Sequence, residues 1–390
     1  MTRNRRKEMI VWIAVGAAVV LLAAIPLIRQ RAVPSDSQVP DYSQGMYYQS
    51  SYEPLELSAD ALGDFPTQYH LDDIPWIATE ESYNHSNSLQ MIAAQKGIEE
   101  PRGYFDFLMA FTYGAIEHPS GLGFFPFTDP EIGFIVAAPY LGLARRYYIT
   151  NDEALYLDAL RYYLSQGYPV RVALDAAVLY DLEEPIPHGE VLVGYDEAAL
   201  YYFETLCKFG IPCQPRHLPP GEEGLRVSDR TLLDAVLGQA KMLSYPWRYS
   251  FIIFEEGPLK DDLGLIWKRN GQSLIGGAQY GPPQGVDAVE TLATRIEERG
   301  KVDVGMVHFE LQMFAYTRRD NAVYLREAFA GETDIERAAS LFDEAGELYA
   351  GALAALEDGV AGQSEADKIG SMLRNAAALE REIGHIFLDK

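Results

Sequence analysis

The chain has 390 residues, of which 48% are hydrophobic and 12% aromatic, enough for roughly two or three domains with sizeable cores. Its formal net charge of -25 speaks against the clustered cations that neutralise phosphates, so nucleic acid is not an expected partner. The same charge argues against general adhesion to anionic lipid and for a solvated acidic surface.

The chain begins "MTRNRRKE", a basic tail over residues 1–8. Met9 to Ile28 follows as an uncharged run of about 20 residues, the length that crosses the hydrocarbon of a bilayer. Arg3, Arg5, Arg6 and Lys7 favour a cytoplasmic N-terminus with the bulk of the chain outside the cytoplasm. A cleaved signal peptide is the rival reading, but "PLIRQRAVPS" offers no good small-x-small site and there is no lipobox cysteine. The expectation is therefore a signal anchor, one transmembrane helix over residues 9–28 that makes the cell membrane a partner. Residues 29–70 hold Pro34, Pro40, Pro54 and Pro66 without a sustained period, and read as an extended tether.

The folded part opens with "SYNHSNSLQM". Leu89, Met91, Ile92 and Ala93 fit the inner face of a helix that ends near Gly97. "GYFDFLMAFTYGA" is a second helical stretch, whereas "GLGFFPFTDPEIGF" reads as loop and short strand. In "NDEALYLDALRYYLSQG", Asn151 or Asp152 caps a helix, Leu155, Ala159, Leu160 and Tyr163 line one face, and Gly167 closes it. "YPVRVALDAA", "HGEVLVGYDE" and "RYSFIIFEE" read as strands, and "SDRTLLDAVLGQAKML" as a capped helix. Residues 71–258 thus predict an α+β domain. Cys207 and Cys213 lack the second pair of a structural zinc site; a local disulfide and two independent thiols both fit them.

From residue 259 onward the pattern turns helical. Val286, Val289, Ala293 and Ile296 recur at helical spacing. "VHFELQMFAYTRRDNAVYLREAFAG" is a longer helical stretch. Leu341, Ala345, Leu348, Ala352 and Leu356 mark a third helix, and Ile369, Leu373, Ala377 and Ile383 a fourth. Four helices with short connections imply a helical bundle over residues 259–390.

The run "ALRYYLSQGYPVRVALDAAVLYD" followed by "PHGEVLVGYDEAALYYFET" resembles the second half of a papain-like fold of the bacteriocin-leader-peptidase type. "GLGFFPF" and the helices ending "LEREIGHIF" are similar to the butirosin biosynthesis protein H branch, a papain-like domain followed by a helical region. The resemblance covers about residues 72–388. It implies a cysteine at a helix start, a histidine opening a later strand, and an acid or amide on the next strand that orients the imidazole. His188 matches the histidine and Glu204 falls near the orienting acid. The nucleophile position falls on Asn84, with His85 as the alternative by one residue; neither is a cysteine. The Gln that family members place before the cysteine, as an oxyanion donor, is also missing from "ATEES". In that branch the chemistry is acyl transfer from a carrier-protein thioester, a reaction of the cytoplasm.

Two functions follow as expectations. The first is a non-catalytic pseudoenzyme with a vestigial Cys-His-Asp-type site, binding a peptide, glycan or protein, or serving as a scaffold, outside the cytoplasm. The second is an active hydrolase or acyltransferase with His188 as general base, Glu204 as its partner, and Ser82, Ser86 or Ser88 as a reassigned nucleophile. His70, His85, His118 and Asp72 make no H-x-x-x-H spacing, so neither a metal nor another cofactor is expected.

Overall fold

The computed structural model describes residues 52–390, apart from 118–123, 184, 208–223, 244, 277–283, 300–303 and 358–361. The molecule is mixed α+β. Its strands are β1 (Pro54–Glu56), β2 (Tyr69–His70), β3 (Ile116–Glu117), β4 (Phe124–Phe125), β5 (Leu143–Thr150), β6 (Val170–Asp175), β7 (Pro187–Tyr195), β8 (Ala199–Phe203), β9 (Leu225–Ser228) and β10 (Tyr249–Glu256). Among the described residues, eight of them form one sheet in the order β1-β5-β10-β6-β7-β8-β9, with β2 paired to β7. Only β1–β5 runs parallel in that sheet. The β3–β4 hairpin stands apart.

Helix α1 (Asn84–Gln95) buries Leu89, Met91, Ile92 and Ala93, the predicted inner face. Helix α2 (Arg102–Met109) follows. Helix α3 (Pro130–Ala137) lies where the sequence reads as loop. Asp129 caps it by accepting the Glu131 N–H, and Pro130 starts it with a fixed φ. Nearly every residue of α3 is buried, so it lacks the one-sided stripe that marks a surface helix. In α4 (Glu153–Ser165) Asp152 is the cap, accepting from Ala154 and Leu155, and Gly167 closes the end with φ +88°. A short α5 (Ala176–Tyr180) follows β6, and α6 (Asp229–Met242) is capped by Ser228.

The helical region contains α7 (Gly264–Ile275), α8 (Val286–Arg299), α9 (Val304–Ala328), α10 (Thr333–Glu357) and α11 (Gln363–Leu388). The predicted stripes face inward: Val286, Val289, Ala293, Ile296, Ala345, Ala352, Leu356, Ile369, Leu373 and Ala377 share one apolar cluster. Leu341 and Leu348 are only half-buried. Helix α7 is an addition to the four expected. Its stripe is broken because Asn270 and Gly271 sit on the buried face. The Asn270 amide donates to the Phe107 carbonyl at 2.9 Å, and a Cβ on Gly271 would meet the Gly384 carbonyl at 2.7 Å. These two contacts act beside the apolar burial of Ile266, Trp267 and Leu274 in seating this helix.

Two boundaries shift. The stretch read as tether up to residue 70 is built into the fold from Tyr52 onward. Tyr52 is buried, Pro54 pairs with Tyr147, and Tyr69 pairs with Tyr195. Nor does the division at 258/259 separate two cores. Trp267 packs on Phe107 at 4.6 Å, Phe329 at 4.8 Å and Phe387 at 5.0 Å, so both regions share aromatic packing. The expected anchor over residues 9–28 lies outside the described residues; among those described, no helix is long and apolar enough to cross a membrane.

Candidate functional site

Helix α1 starts at Asn84, the second residue of β7 is His188, and Glu204 follows the last residue of β8. The antiparallel β7–β8 ladder brings His188 and Glu204 together, and the packing of α1 on β7 adds Asn84. Asn84 Nδ2 lies 3.3 Å from His188 Nδ1, and His188 Nε2 lies 2.7 Å from Glu204 Oε1. The order amide, imidazole, carboxylate is the one expected from the sequence. The group is closed in: Asn84 is 9% exposed, His188 2% and Glu204 not at all.

The carboxylate is held from several sides. Leu206 N–H donates to Glu204 Oε1 at 2.8 Å, Tyr180 O–H donates to Oε2, and Trp76 Nε1–H donates to the Glu204 carbonyl at 2.7 Å. Burial opposes charge on Glu204, but the His188 charge, with hydrogen bonds from His188, Glu190 and Tyr180, brings its pKa down to about 2. Burial likewise opposes charge on His188, yet Glu204 and then Glu190 raise it to about 10. The Asn84 amide can donate to a neutral Nδ1 or, turned over, accept from a protonated one.

Glu190 is the group that sequence reasoning missed. It stands two residues beyond His188 on β7, and a strand's period of two puts both on one face. Its Oε1 is 3.0 Å from the same His188 Nε2 that meets Glu204. Burial and the neighbouring Glu204 raise its pKa well above the carboxylate range. The signal was legible as "HGE" in an apolar strand. One ligand atom from each of His188, Glu190 and Glu204 lies within 4.8 Å of the others, the one such grouping of three among the described residues that could hold a metal ion.

His85, the alternative nucleophile position, faces another network. Its Nδ1 is 2.9 Å from Arg171 Nη2, and its ring sits edge-on to Phe111 at 5.3 Å and Phe134 at 6.2 Å. Burial and then the Arg171 cation push its pKa well below the ordinary value, leaving a neutral acceptor ring. The Arg171 guanidinium lies 3.0 Å from where a Cβ on Gly189 would stand, so the bare backbone there makes room for it. Arg171 and Arg145 both grip the buried Glu131. Of the serines, Ser86 Oγ donates to the Tyr83 carbonyl at 3.2 Å and Ser88 Oγ to the His85 carbonyl at 2.8 Å; both are fully buried. At Ser82 the backbone N–H donates to Tyr316 O–H at 3.1 Å. In place of a Gln oxyanion donor, Thr79 Oγ1 accepts from Asn87 Nδ2 at 2.9 Å and donates to the Glu81 carbonyl.

Helix α9 closes this end. Tyr83 O–H donates to Asp320 at 2.6 Å, and Arg102 stacks 3.7 Å over the Tyr83 ring while pairing with Asp320. Cys207, just beyond Leu206, is disulfide-bonded; Cys213 lies outside the described residues. No family model matches the chain, and no curated protein matches it.

Asp129, beside the Arg–Glu network, gives a pH test. It accepts from Tyr52 O–H at 2.9 Å, and burial followed by Glu131 raises its pKa to about 7. Between its unfolded value of 3.8 and about 7, the folded state keeps a proton that the unfolded state has lost. This group's contribution is therefore full at low pH and is lost as pH rises towards 7. An Asp129→Asn variant is expected to flatten the fall of Tm between pH 4.5 and 7.5; an unchanged slope refutes the assignment.

Proposed function

We propose that this protein is a membrane-anchored, non-catalytic binding or scaffold protein, built on a papain-like frame that has lost its nucleophile. The observation that carries the reading is Asn84 facing His188 Nδ1 at 3.3 Å, where a thiol would give up its proton. An amide has no useful nucleophilicity, and Ser86 and Ser88 turn their hydroxyls to main-chain carbonyls instead. That geometry also weighs against the alternative, an active hydrolase or acyltransferase with a reassigned serine.

Space for a ligand lies away from His188. A cavity of about 760 Å³, lined in part by Asp129, Arg145, Leu143, Lys268 and Arg269, has the size of a small-ligand or peptide-side-chain site. The bonds from α9 to Ser82 and Tyr83 support a static role for the His188 centre. The test is turnover on a panel of esters, thioesters and peptides. The expected result is no hydrolysis above background. Turnover that disappears in His188→Ala overturns the proposal, and labelling of Ser82 by a serine-reactive probe would favour the alternative.

A further inference from the structure

We infer that His188, Glu190 and Glu204 form a buried site for a divalent transition-metal cation, with Asn84 orienting the histidine. The vestigial-site reading uses His188 and Glu204 but leaves Glu190 without a role, and the metal site depends on neither the fold resemblance nor the absence of turnover.

The argument starts from one nitrogen. His188 Nε2 carries at most one proton, and Glu204 Oε1 stands in line for it at 2.7 Å. Glu190 Oε1 is 3.0 Å from the same nitrogen, so two carboxyl groups compete for one donor. Glu190 and Glu204 are both fully buried. Two ionised carboxylates buried against a single imidazole are costly unless a counter-charge lies against both. A divalent cation held by a neutral imidazole and two carboxylates sums to zero charge, and it gives both carboxylates one shared partner.

The distances suit this. Metal–ligand bonds of about 2.0–2.2 Å in tetrahedral geometry separate ligand atoms by about 3.3 Å. The present 2.7 Å and 3.0 Å contacts need to open by only about half an ångström. The outer contacts are of the kind that hold metal ligands in place. Tyr180 O–H and Leu206 N–H fix the Glu204 carboxylate. With Nε2 on the metal, the proton moves to Nδ1, and the Asn84 side chain beside it accepts once its carbonyl is turned inward. An amide carbonyl is a good acceptor for that N–H, so Asn84 suits this position. One imidazole and two carboxylates suit Zn²⁺ or Mn²⁺. Because the ligands are closed off from solvent, the ion enters as the chain folds.

The experiment refolds the full chain from denaturant in detergent, with Zn²⁺ or with EDTA, then removes free ion and measures bound zinc and Tm. The expected result is about one zinc per chain and a higher Tm for the zinc-refolded protein. Glu190→Gln is expected to weaken zinc binding about 10–100-fold. No retained zinc with identical Tm overturns the site, as does equal zinc in wild type and Glu190→Gln. If the variant refolds poorly, X-ray absorption of the zinc-loaded wild type decides: nitrogen and oxygen neighbours including one imidazole support it, and sulfur neighbours overturn it. None of these readouts depends on whether the protein turns over a substrate.

Discussion

An Asn84→Cys variant is expected to react with iodoacetamide at pH 6 roughly ten-fold faster than the same cysteine in an Asn84→Cys/His188→Gln background. The reason is geometric. Asn84 Nδ2 is 3.3 Å from His188 Nδ1 at the first residue of α1, so a thiol there meets both an imidazole and the positive end of a helix. Pairing with a histidine lowers a thiol pKa from about 8.5 to about 5, which raises the thiolate fraction at pH 6 by about 300-fold. The more acidic thiolate is intrinsically a weaker nucleophile by some 40-fold, which leaves the net gain at about ten-fold. Cys207 is disulfide-bonded and contributes no competing thiolate at the site. Mass spectrometry of the alkylated peptide against pH reads the thiol pKa directly. Equal rates in both backgrounds, with both proteins folded, would show that position 84 does not work against His188.

The largest stability effect is expected in the helical region. Arg318 on α9 and Glu380 on α11 are both buried and meet side by side, Nε to Oε1 at 2.7 Å and Nη2 to Oε2 at 3.1 Å. Arg318 Nη1 also donates to the Thr112 carbonyl at 2.6 Å, which ties the bundle to the loop after α2. Glu380→Ala leaves a guanidinium buried without its counter-charge and is expected to cost about 3–5 kcal/mol in urea unfolding. An Arg318→Met/Glu380→Leu double variant removes both charges and should recover most of that loss, because two desolvation penalties vanish together. A loss below about 1 kcal/mol in Glu380→Ala would mean that water reaches the pair on relaxation. The contrast between the single and the double variant separates a lost ion pair from a lost volume.

Both effects bear on how the molecule can work. The bonds from Tyr316 and Asp320 to the start of α1 couple the helical region to the His188 centre. The same helix carries Arg318. Destabilising the bundle is therefore expected to loosen the end of the sheet where Asn84, His188 and Glu204 meet.

Much of this was written locally. The stripes Val286–Ile296 and Ile369–Ala377 repeat at the helical period, and burial follows them because a helix can turn only one face to a core. Asp152, Ser228 and Gly167 act where short polar side chains and a positive φ predict helix ends. The chain order of a helix start, a strand histidine and a later acid was legible, and these residues do meet. Other features needed the tertiary structure. Helix α7 broke its own stripe because Asn270 and Gly271 answer to Phe107 and Gly384, far away in sequence. Helix α3 had no stripe because it is buried nearly all round. Residues 54–56 gained a strand only because β5 lay open beside them. The choice between Asn84 and His85 turned on which partner waited across the fold, His188 for one and Arg171 for the other. The weight of Glu190 is visible only in three dimensions. A carboxylate at an exposed strand position is ordinary, and what makes this one consequential is full burial beside a second carboxylate and a single imidazole nitrogen. Periodicity and capping depend on near neighbours in the chain, so the sequence alone determined them. The neutralisation of buried charge depends on neighbours brought from residues 84, 188, 190 and 204, so only the assembled fold decided it.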